Sequence, residues 1–280
     1  MTATFLAIGH FCYDVTPNGY MLGGSAAYSA ITARNLGFKA RVITAVGVNF
    51  DRRIPLLDGI EITYQESCNT TIFDNRYSEN GQRQQSILSL GAKLKPQHIT
   101  GDCCEAEIAY LCPIADEVDP DCIHSFSGSL IGVTPQGWMR HRKNDSRTIA
   151  KRWGSAASIL PYADVLILSD EDLGTYPAEL EKYIELTKIV VLTKGKRGAT
   201  LYENGRVLDS NAYPANEIDP TGAGDVFAAA FLIKYYETQL PQKALNFAHC
   251  AASFAVEGRY TANIPTLDSI RNRLNPIRME

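Results

Sequence analysis

Short apolar runs alternate along this chain with segments of helical spacing, and that rhythm limits the fold more than any other feature. Residues 5–9 (FLAIG) form one apolar run ending in glycine, and residues 41–47 (RVITAVG) form a second. Between them, residues 25–37 (SAAYSAITARNLG) are rich in small side chains with helical spacing, and Gly37 stands where a helix stops. Strand, loop, helix and strand in this order build parallel α/β sheets. One stretch breaks the rhythm. Ile60, Ile62 and Tyr64 alternate with polar neighbours, as do Thr71, Phe73 and Asn75 and, more loosely, Ile87, Leu88 and Leu90. Asn80-Gly81 is a turn signal between the last two sets. The pattern predicts a small antiparallel sheet inserted at about 59–94, with one polar face, acting as a lid with a contribution from about 11–20.

The α/β rhythm then resumes, with strands predicted at 107–111, 130–133, 165–168 and 189–193 and an amphipathic helix at 178–187. A hairpin is expected from 199–202 and 206–208 across Asn204-Gly205. Long helices follow over 224–236 and from Pro241 to about 256, with a last helix in the polar C-terminal segment. No internal repeat or linker interrupts residues 1–280, so a single domain is expected.

Composition narrows the partners. A chain of 280 residues can bury a substantial core, and a net charge of −4 argues against nucleic acid, which needs a positive footprint. No apolar run approaches the roughly 20 residues of a membrane helix. The first apolar run lacks a basic segment before it, so no secretory leader is expected and the location expected is cytoplasmic. The seven cysteines are odd in number and form no CxxC pair, which argues against a zinc ribbon or a disulfide framework. They are expected to be reduced, small buried residues.

The chemistry concentrates in Asp219-Pro220-Thr221-Gly222-Ala223-Gly224-Asp225-Val226-Phe227. Small residues and two glycines let the backbone approach a ligand, and a long helix starts at once. The unpaired amides and positive dipole end of that helix make an anion site. A carboxylate beside an anion site is misplaced for binding alone, since like charges repel. It suits a base that takes the proton of an attacking hydroxyl during phosphoryl transfer. The bland alternative is a helix start whose Asp225 complements the dipole.

DPTGAGD followed by an apolar helix resembles the C-terminal signature of the PfkB, or ribokinase-like, carbohydrate kinases. Gly23-Gly24 before a small-residue helix ending in Asn35-Leu36-Gly37, then a strand ending in Val46-Gly47, resembles the family's first signature. The likeness runs in order from about residue 4 to 257. It implies a ribokinase-like three-layer fold, with a mostly parallel central sheet flanked by helices, and an ATP- and Mg2+-dependent kinase with a possible monovalent cation near Asp219. It implies Asp225 as base and the amides of Gly222, Ala223 and Gly224 as the anion hole. The chain departs from the family at Tyr28, where many members carry a sugar-binding Asn. It departs again at Ser169-Asp170-Glu171-Asp172, where the common pattern is Asn-x-x-Glu. Asp172 is the matching acid, expected near the metal.

Asp14 follows the first strand, where ligands of parallel sheets gather, and the resemblance implies a carboxylate holding two substrate hydroxyls. Gly23, Gly24 and Tyr28 are expected beside it, with Arg140 as a cation able to reach phosphate and Trp138 as either pocket wall or core. Thr193-Lys194-Gly195-Lys196-Arg197-Gly198 resembles the family's nucleotide loop, with Thr193, Gly195 and Gly198 as the contacts, although no Walker A pattern exists. His249 and Ala252 on the late helix would flank the adenine, and tight helix packing accounts for their size equally well. The segments around Asp14, Gly23 and Ser169 look most like the myo-inositol kinase branch. The expected partner is therefore a small polyol, with no nucleic acid or membrane, for a monomer or homodimer. Two other readings stay open: a nucleoside or pentose kinase, and a nucleotide-binding regulatory protein with little catalysis.

Overall fold

Successive residues of the buried strands face two different cores, which divides the molecule into three layers. In β1 (Thr4–Ile8), Phe5 and Ala7 join one apolar cluster while Leu6 and Ile8 join the other. The computed structural model describes residues 2–77 and 83–275. After β1 come β2 (Cys12–Thr16), β3 (Gly19–Gly23), α1 (Ser25–Asn35) and β4 (Lys39–Val46). They are followed by β5 (Glu61–Glu66), β6 (Thr71–Tyr77), β7 (Arg83–Ser89), β8 (Ile108–Leu111) and β9 (Leu130–Val133). A short hairpin, β10 (Arg140–Arg142) and β11 (Thr148–Ala150), precedes α2 (Ala156–Ile159), β12 (Val165–Ser169) and α3 (Asp170–Leu173). Next are α4 (Glu179–Leu186), β13 (Ile189–Thr193), β14 (Ala199–Glu203) and β15 (Arg206–Ser210). The helices α5 (Ala223–Thr238), α6 (Pro241–Val256) and α7 (Leu267–Leu274) follow.

Among the described residues the central sheet has nine strands in the order β15-β14-β13-β12-β9-β8-β1-β4-β5. From β13 to β5 every neighbouring pair is parallel; at the other edge the pairings β13–β14 and β14–β15 are antiparallel, so β14 alone runs against the rest. The face carrying Phe5 and Ala7 is covered by α1, α5 and α6. The other is covered by a layer that includes Trp138, Trp153, Ile159 and Tyr183. Trp138 donates its indole N–H to the Val118 carbonyl at 2.8 Å and stacks on Trp153 at 5.5 Å, so it is core.

A second sheet of four strands, β3-β2-β6-β7, is joined to the body through a cluster of Cys12, Phe73, Ile87, Ile114 and Ala115. The small sheet expected at 59–94 is therefore real, with different limits. β5 is not part of it: Glu61–Glu66 pairs in parallel with β4 and forms the edge of the central sheet. The alternation of Ile60, Ile62 and Tyr64 reflects an edge strand covered on one side, which reads like a lid strand. The small sheet's other two strands are β2 and β3, close to the contribution expected from about 11–20, and the β10–β11 hairpin, a separate two-stranded sheet, lies against β7, where the Ile87 amide donates to the Ser146 carbonyl at 2.8 Å. The Asn80-Gly81 turn lies outside the described residues. The Asn204-Gly205 hairpin forms as expected, with φ of 48° and 76° at the two turn residues. None of the seven cysteines is in a disulfide; four are buried, but Cys68 is exposed and Cys103 and Cys104 are half-buried, contrary to the expectation for these three. No helix among the described residues is long and apolar enough to cross a membrane.

Candidate active site

Several residues singled out in the sequence meet near the start of α5: Tyr28 lies against Gly222, Asp14 and Asp225 act on it by charge, and Asp14 touches Gly23; Asp172 and the 193–198 loop follow the carboxyl ends of β12 and β13. Gly222 is the N-cap of α5 in the left-handed region, with φ 78° and ψ −4°. The turn closes through the Asp225 amide, which donates to the Gly222 carbonyl at 3.1 Å. The Ala223 amide donates to the Pro220 carbonyl at 3.2 Å, so the three amides expected to form an anion hole are not equivalent. Asp225 is the only acid in the first turn of α5. Asp219 anchors the loop: one carboxylate oxygen accepts from the Thr221 amide at 2.9 Å and the other from the Tyr260 amide at 3.2 Å.

α1 packs across α5 and delivers Tyr28 to this turn. A Cβ on Gly222 would lie 2.1 Å from the Tyr28 ring, so glycine is required there by contact as well as by φ. Tyr28 is buried, and its hydroxyl has no hydrogen-bond partner among the described residues. Burial first, then the fields of Asp14 and Asp225, hold its proton on far above the usual phenol range.

Asp14 projects from β2 and is buried. One of its oxygens accepts from the Asn75 amide at 3.1 Å, and the Asn75 carbonyl accepts from Gln85 at 2.9 Å. A relay of polar side chains thus runs from β7 through β6 to Asp14. The glycine pair is explained by the same crowding. A Cβ on Gly23 would sit 2.2 Å from the other Asp14 oxygen. One on Gly24, at φ 97°, would sit 2.3 Å from the His10 carbonyl oxygen. Asn75 and Gln85 were not singled out in the sequence. The signal was present: Asn75 is a polar residue on the apolar side of an alternating strand, the side of Phe73.

At the ends of β12 and β13 the side chains pair with one another. Ser169 and Asp172 form a capping box at α3, in which Asp172 accepts from the Ser169 amide at 3.1 Å and its hydroxyl at 2.8 Å. The remaining Asp172 oxygen lies 4.0 Å from Arg140, which brings together two residues expected on the metal and substrate sides. In the loop after β13 the basic side chains meet protein partners. Lys194 donates to the Thr200 hydroxyl at 2.6 Å, Lys196 lies 3.4 Å from Glu217, and Arg197 pairs with Asp170. The loop backbone is closed on itself by the Lys194 amide on the Gly198 carbonyl at 2.8 Å and the Gly198 amide on the Gly195 carbonyl at 3.0 Å; Gly198, at φ 88°, is pressed on the Ser210 carbonyl, and only Gly195, at φ 56°, has open space where a Cβ would stand, while Thr193 donates its hydroxyl to the Leu168 carbonyl at 3.3 Å. On α6, His249 is buried edge-to-face against Phe227 at 5.1 Å, its Nε2 lacks a partner among the described residues, and Ala252 is partly exposed. Burial pushes the His249 pKa down to about 4.

No group of three His, Cys, Asp or Glu able to hold a metal exists among the described residues. Asp172, with one oxygen in a cap and the other facing Arg140, fits a magnesium ion that rides on donor phosphates, not one held in a protein cage.

Comparison with known proteins defines the class. Residues 138–267 match the family described as pfkB family carbohydrate kinase. A nucleoside kinase of Methanocaldococcus jannaschii is 23% identical over 271 residues, covering 92% of this chain and 86% of that protein. A pyrophosphate-dependent kinase of the ribokinase family, solved with a pyrophosphate analogue and myo-inositol, superposes with a TM-score of 0.79 at 21% identity, covering 96% of this chain and 99% of that one. The Arabidopsis thaliana ribokinase solved with ribose and ATP gives 0.74 at 17% identity, covering 98% and 99%. The fold is the ribokinase fold, and the family match with it supports a small-molecule kinase acting on a sugar or nucleoside. The myo-inositol branch is one of several that these likenesses include.

Proposed function

We propose that this protein transfers the terminal phosphoryl group of ATP to a hydroxyl of a sugar or cyclitol, with myo-inositol the first acceptor to try. The observation that carries the reading is Asp225 in the first turn of α5, directly after the left-handed Gly222 turn that packs on Tyr28, with both Asp225 and Asp14 near enough to act by charge on the Tyr28 phenol. Asp225 takes the proton as the acceptor oxygen bonds to phosphorus. The bond from that phosphorus to the bridging oxygen breaks, and ADP leaves. The amides of Gly222 and Gly224, with a share from Ala223, receive the charge on the transferred group at the positive end of the helix. Asp14, held by Asn75, grips acceptor hydroxyls beside Gly23, Gly24 and Tyr28. Arg140 sits at the phosphate edge with Asp172, the residue that would stand by a magnesium ion, whose charge would offset that of the donor phosphates. Thr193, Gly195 and Gly198 lie along the nucleotide, with His249 and Ala252 by the base. The four-stranded sheet closes over the acceptor and excludes water, which would otherwise compete for the phosphoryl group. The enzyme works in the cytoplasm as a monomer or homodimer, with neither nucleic acid nor membrane as partner.

A nucleoside or pentose acceptor is the second reading, favoured by the aromatic group of Tyr13, Tyr20 and Phe50 at the small sheet, with ring centroids 5.2–5.5 Å apart. Turnover of myo-inositol, other cyclitols, ribose, fructose and nucleosides, each with ATP and with pyrophosphate, separates the readings. Selective turnover of a cyclitol with ATP supports the proposal. A nucleoside as the only acceptor, or pyrophosphate as the only donor, replaces that part of it. ATP binding without transfer to any acceptor would favour a regulatory nucleotide-binding protein.

A further inference from the structure

The chain enters the four-stranded sheet before β2 and before β6, and it leaves after β3 and after β7. All four passages touch one residue. His10 lies in the first of them, between β1 and β2, and is wholly buried. Its Nδ1 is 2.8 Å from the Thr71 hydroxyl, where β6 begins, and its Nε2 is 2.8 Å from the Ala92 carbonyl, just past β7. Gly91 runs against the ring, since a Cβ there would sit 2.9 Å from the imidazole. The His10 carbonyl in turn is the oxygen that a Cβ on Gly24, after β3, would strike.

These bonds have one consistent direction. A carbonyl only accepts, so Nε2 carries the proton and Nδ1 accepts from Thr71. The Thr71 oxygen then accepts from the Gly91 amide at 2.9 Å. Burial, acting against the field of Glu117, keeps the ring in this neutral form. Glu117 is itself buried and ties the junction to the body, accepting from the amides of His10 at 3.1 Å, Ile114 at 3.0 Å and Ala115 at 2.6 Å. Ile114 and Ala115 belong to the cluster on which the small sheet rests. The strands joined in this way, β2 and β6, are the ones that carry Asp14 and Asn75.

We propose that His10 is a positioning residue that, through Thr71 and Ala92, fixes the root of the four-stranded sheet and with it the place of Asp14 at the acceptor. This rests on the kinase reading above and extends it.

Thr71→Val cuts the chain of bonds at its middle and keeps the shape, Thr71→Ser keeps the hydroxyl, and His10→Gln alters the ring itself. With the best acceptor of the panel, Thr71→Val and His10→Gln should each lower kcat/KM for that acceptor about tenfold, the effect of one lost hydrogen bond, with KM for ATP unchanged. ADP release without acceptor, in which water takes the phosphoryl group, should rise relative to transfer, because a poorly seated sheet admits water. Thr71→Ser should restore both values. If His10→Gln does not fold, Thr71→Val decides. Variants that melt lower but keep the acceptor kinetics and the ratio of hydrolysis to transfer would show a histidine that serves stability alone, and would overturn the proposal. Equal losses toward acceptor and ATP, or a Thr71→Ser as poor as Thr71→Val, would overturn it too. An inactive wild type would strike the kinase reading and this one together; an active wild type with indifferent variants strikes this one alone.

Discussion

α1 and α5 begin in the same way and end up with different chemistry. Each starts at a glycine with positive φ, 97° at Gly24 and 78° at Gly222, and neither has a side-chain cap. Each start has a carboxylate close by. For α5 it is its own Asp225, in the first turn. For α1 the first turn has no acid, and the carboxylate is Asp14, brought by β2 against Gly23. Asp14 is held by the Asn75 amide, which suits a fixed clamp. The glycine turns therefore share a backbone device, a left-handed start that lets another group approach closely. What distinguishes base from clamp is where the acid comes from and what holds it.

Substitutions at the two glycines should produce the largest changes and test how alike the turns are. Gly24→Ala drives a Cβ to 2.3 Å from the His10 backbone carbonyl, which cannot move aside, and it is strained by φ as well. A loss of about 3 kcal/mol is expected, seen as a melting temperature lower by roughly 6–12 °C. Gly222→Ala meets the Tyr28 ring, a side chain, so pairing it with Tyr28→Ala should recover part of the loss. No recovery would mean that φ alone dictates glycine there.

The clamp comes next. Asp14→Asn should lower kcat/KM for the acceptor about a hundredfold, within the range for charged hydrogen bonds, and leave ATP binding intact. Asn75→Ala removes the donor that holds Asp14 and should cost about tenfold. Equal effects on acceptor and donor kinetics would mean that this carboxylate serves folding and not recognition.

The smallest expected effect concerns His249. Its depressed pKa means that between about 6.5 and 4 the unfolded chain binds more protons than the folded one. Stability is complete above 6.5 and falls as pH drops toward 4, with a slope of up to about 1.4 kcal/mol per pH unit. The buried His10 acts in the same direction. His249→Gln should flatten the melting temperature against pH in this window, and an unchanged slope would show that His249 is not held neutral.

Much of this was legible in the sequence, and the limits have physical causes. Ile189–Thr193 and Pro241–Val256 were bounded correctly, because a fully apolar strand and a proline-started helix mark their own ends. The DPTGAGD turn was legible because its left-handed backbone demands a glycine at 222; Gly224, with open space at its Cβ, has no such demand. β5 was misassigned because alternation reports one covered face, not which sheet supplies the cover. The ion pairs of Lys196 and Arg197 in the loop after β13 were not legible because their partners, Glu217 and Asp170, are distant in sequence. Asn75 and Gln85 were missed for the same reason: their role exists only once β6 lies beside β2. Tyr28 was seen as a departure, but its contact with Gly222 needed α1 and α5 to be packed together.

The central claim is that Asp225 is the base, and acceptor-dependent ADP release by Asp225→Asn tests it most directly. The isosteric change keeps the helix start and the glycine turn. Turnover should fall about a thousandfold or more while the affinity for ATP changes little. Turnover within a few-fold of the wild type would contradict the account and leave Asp225 as no more than a charge at the start of a helix.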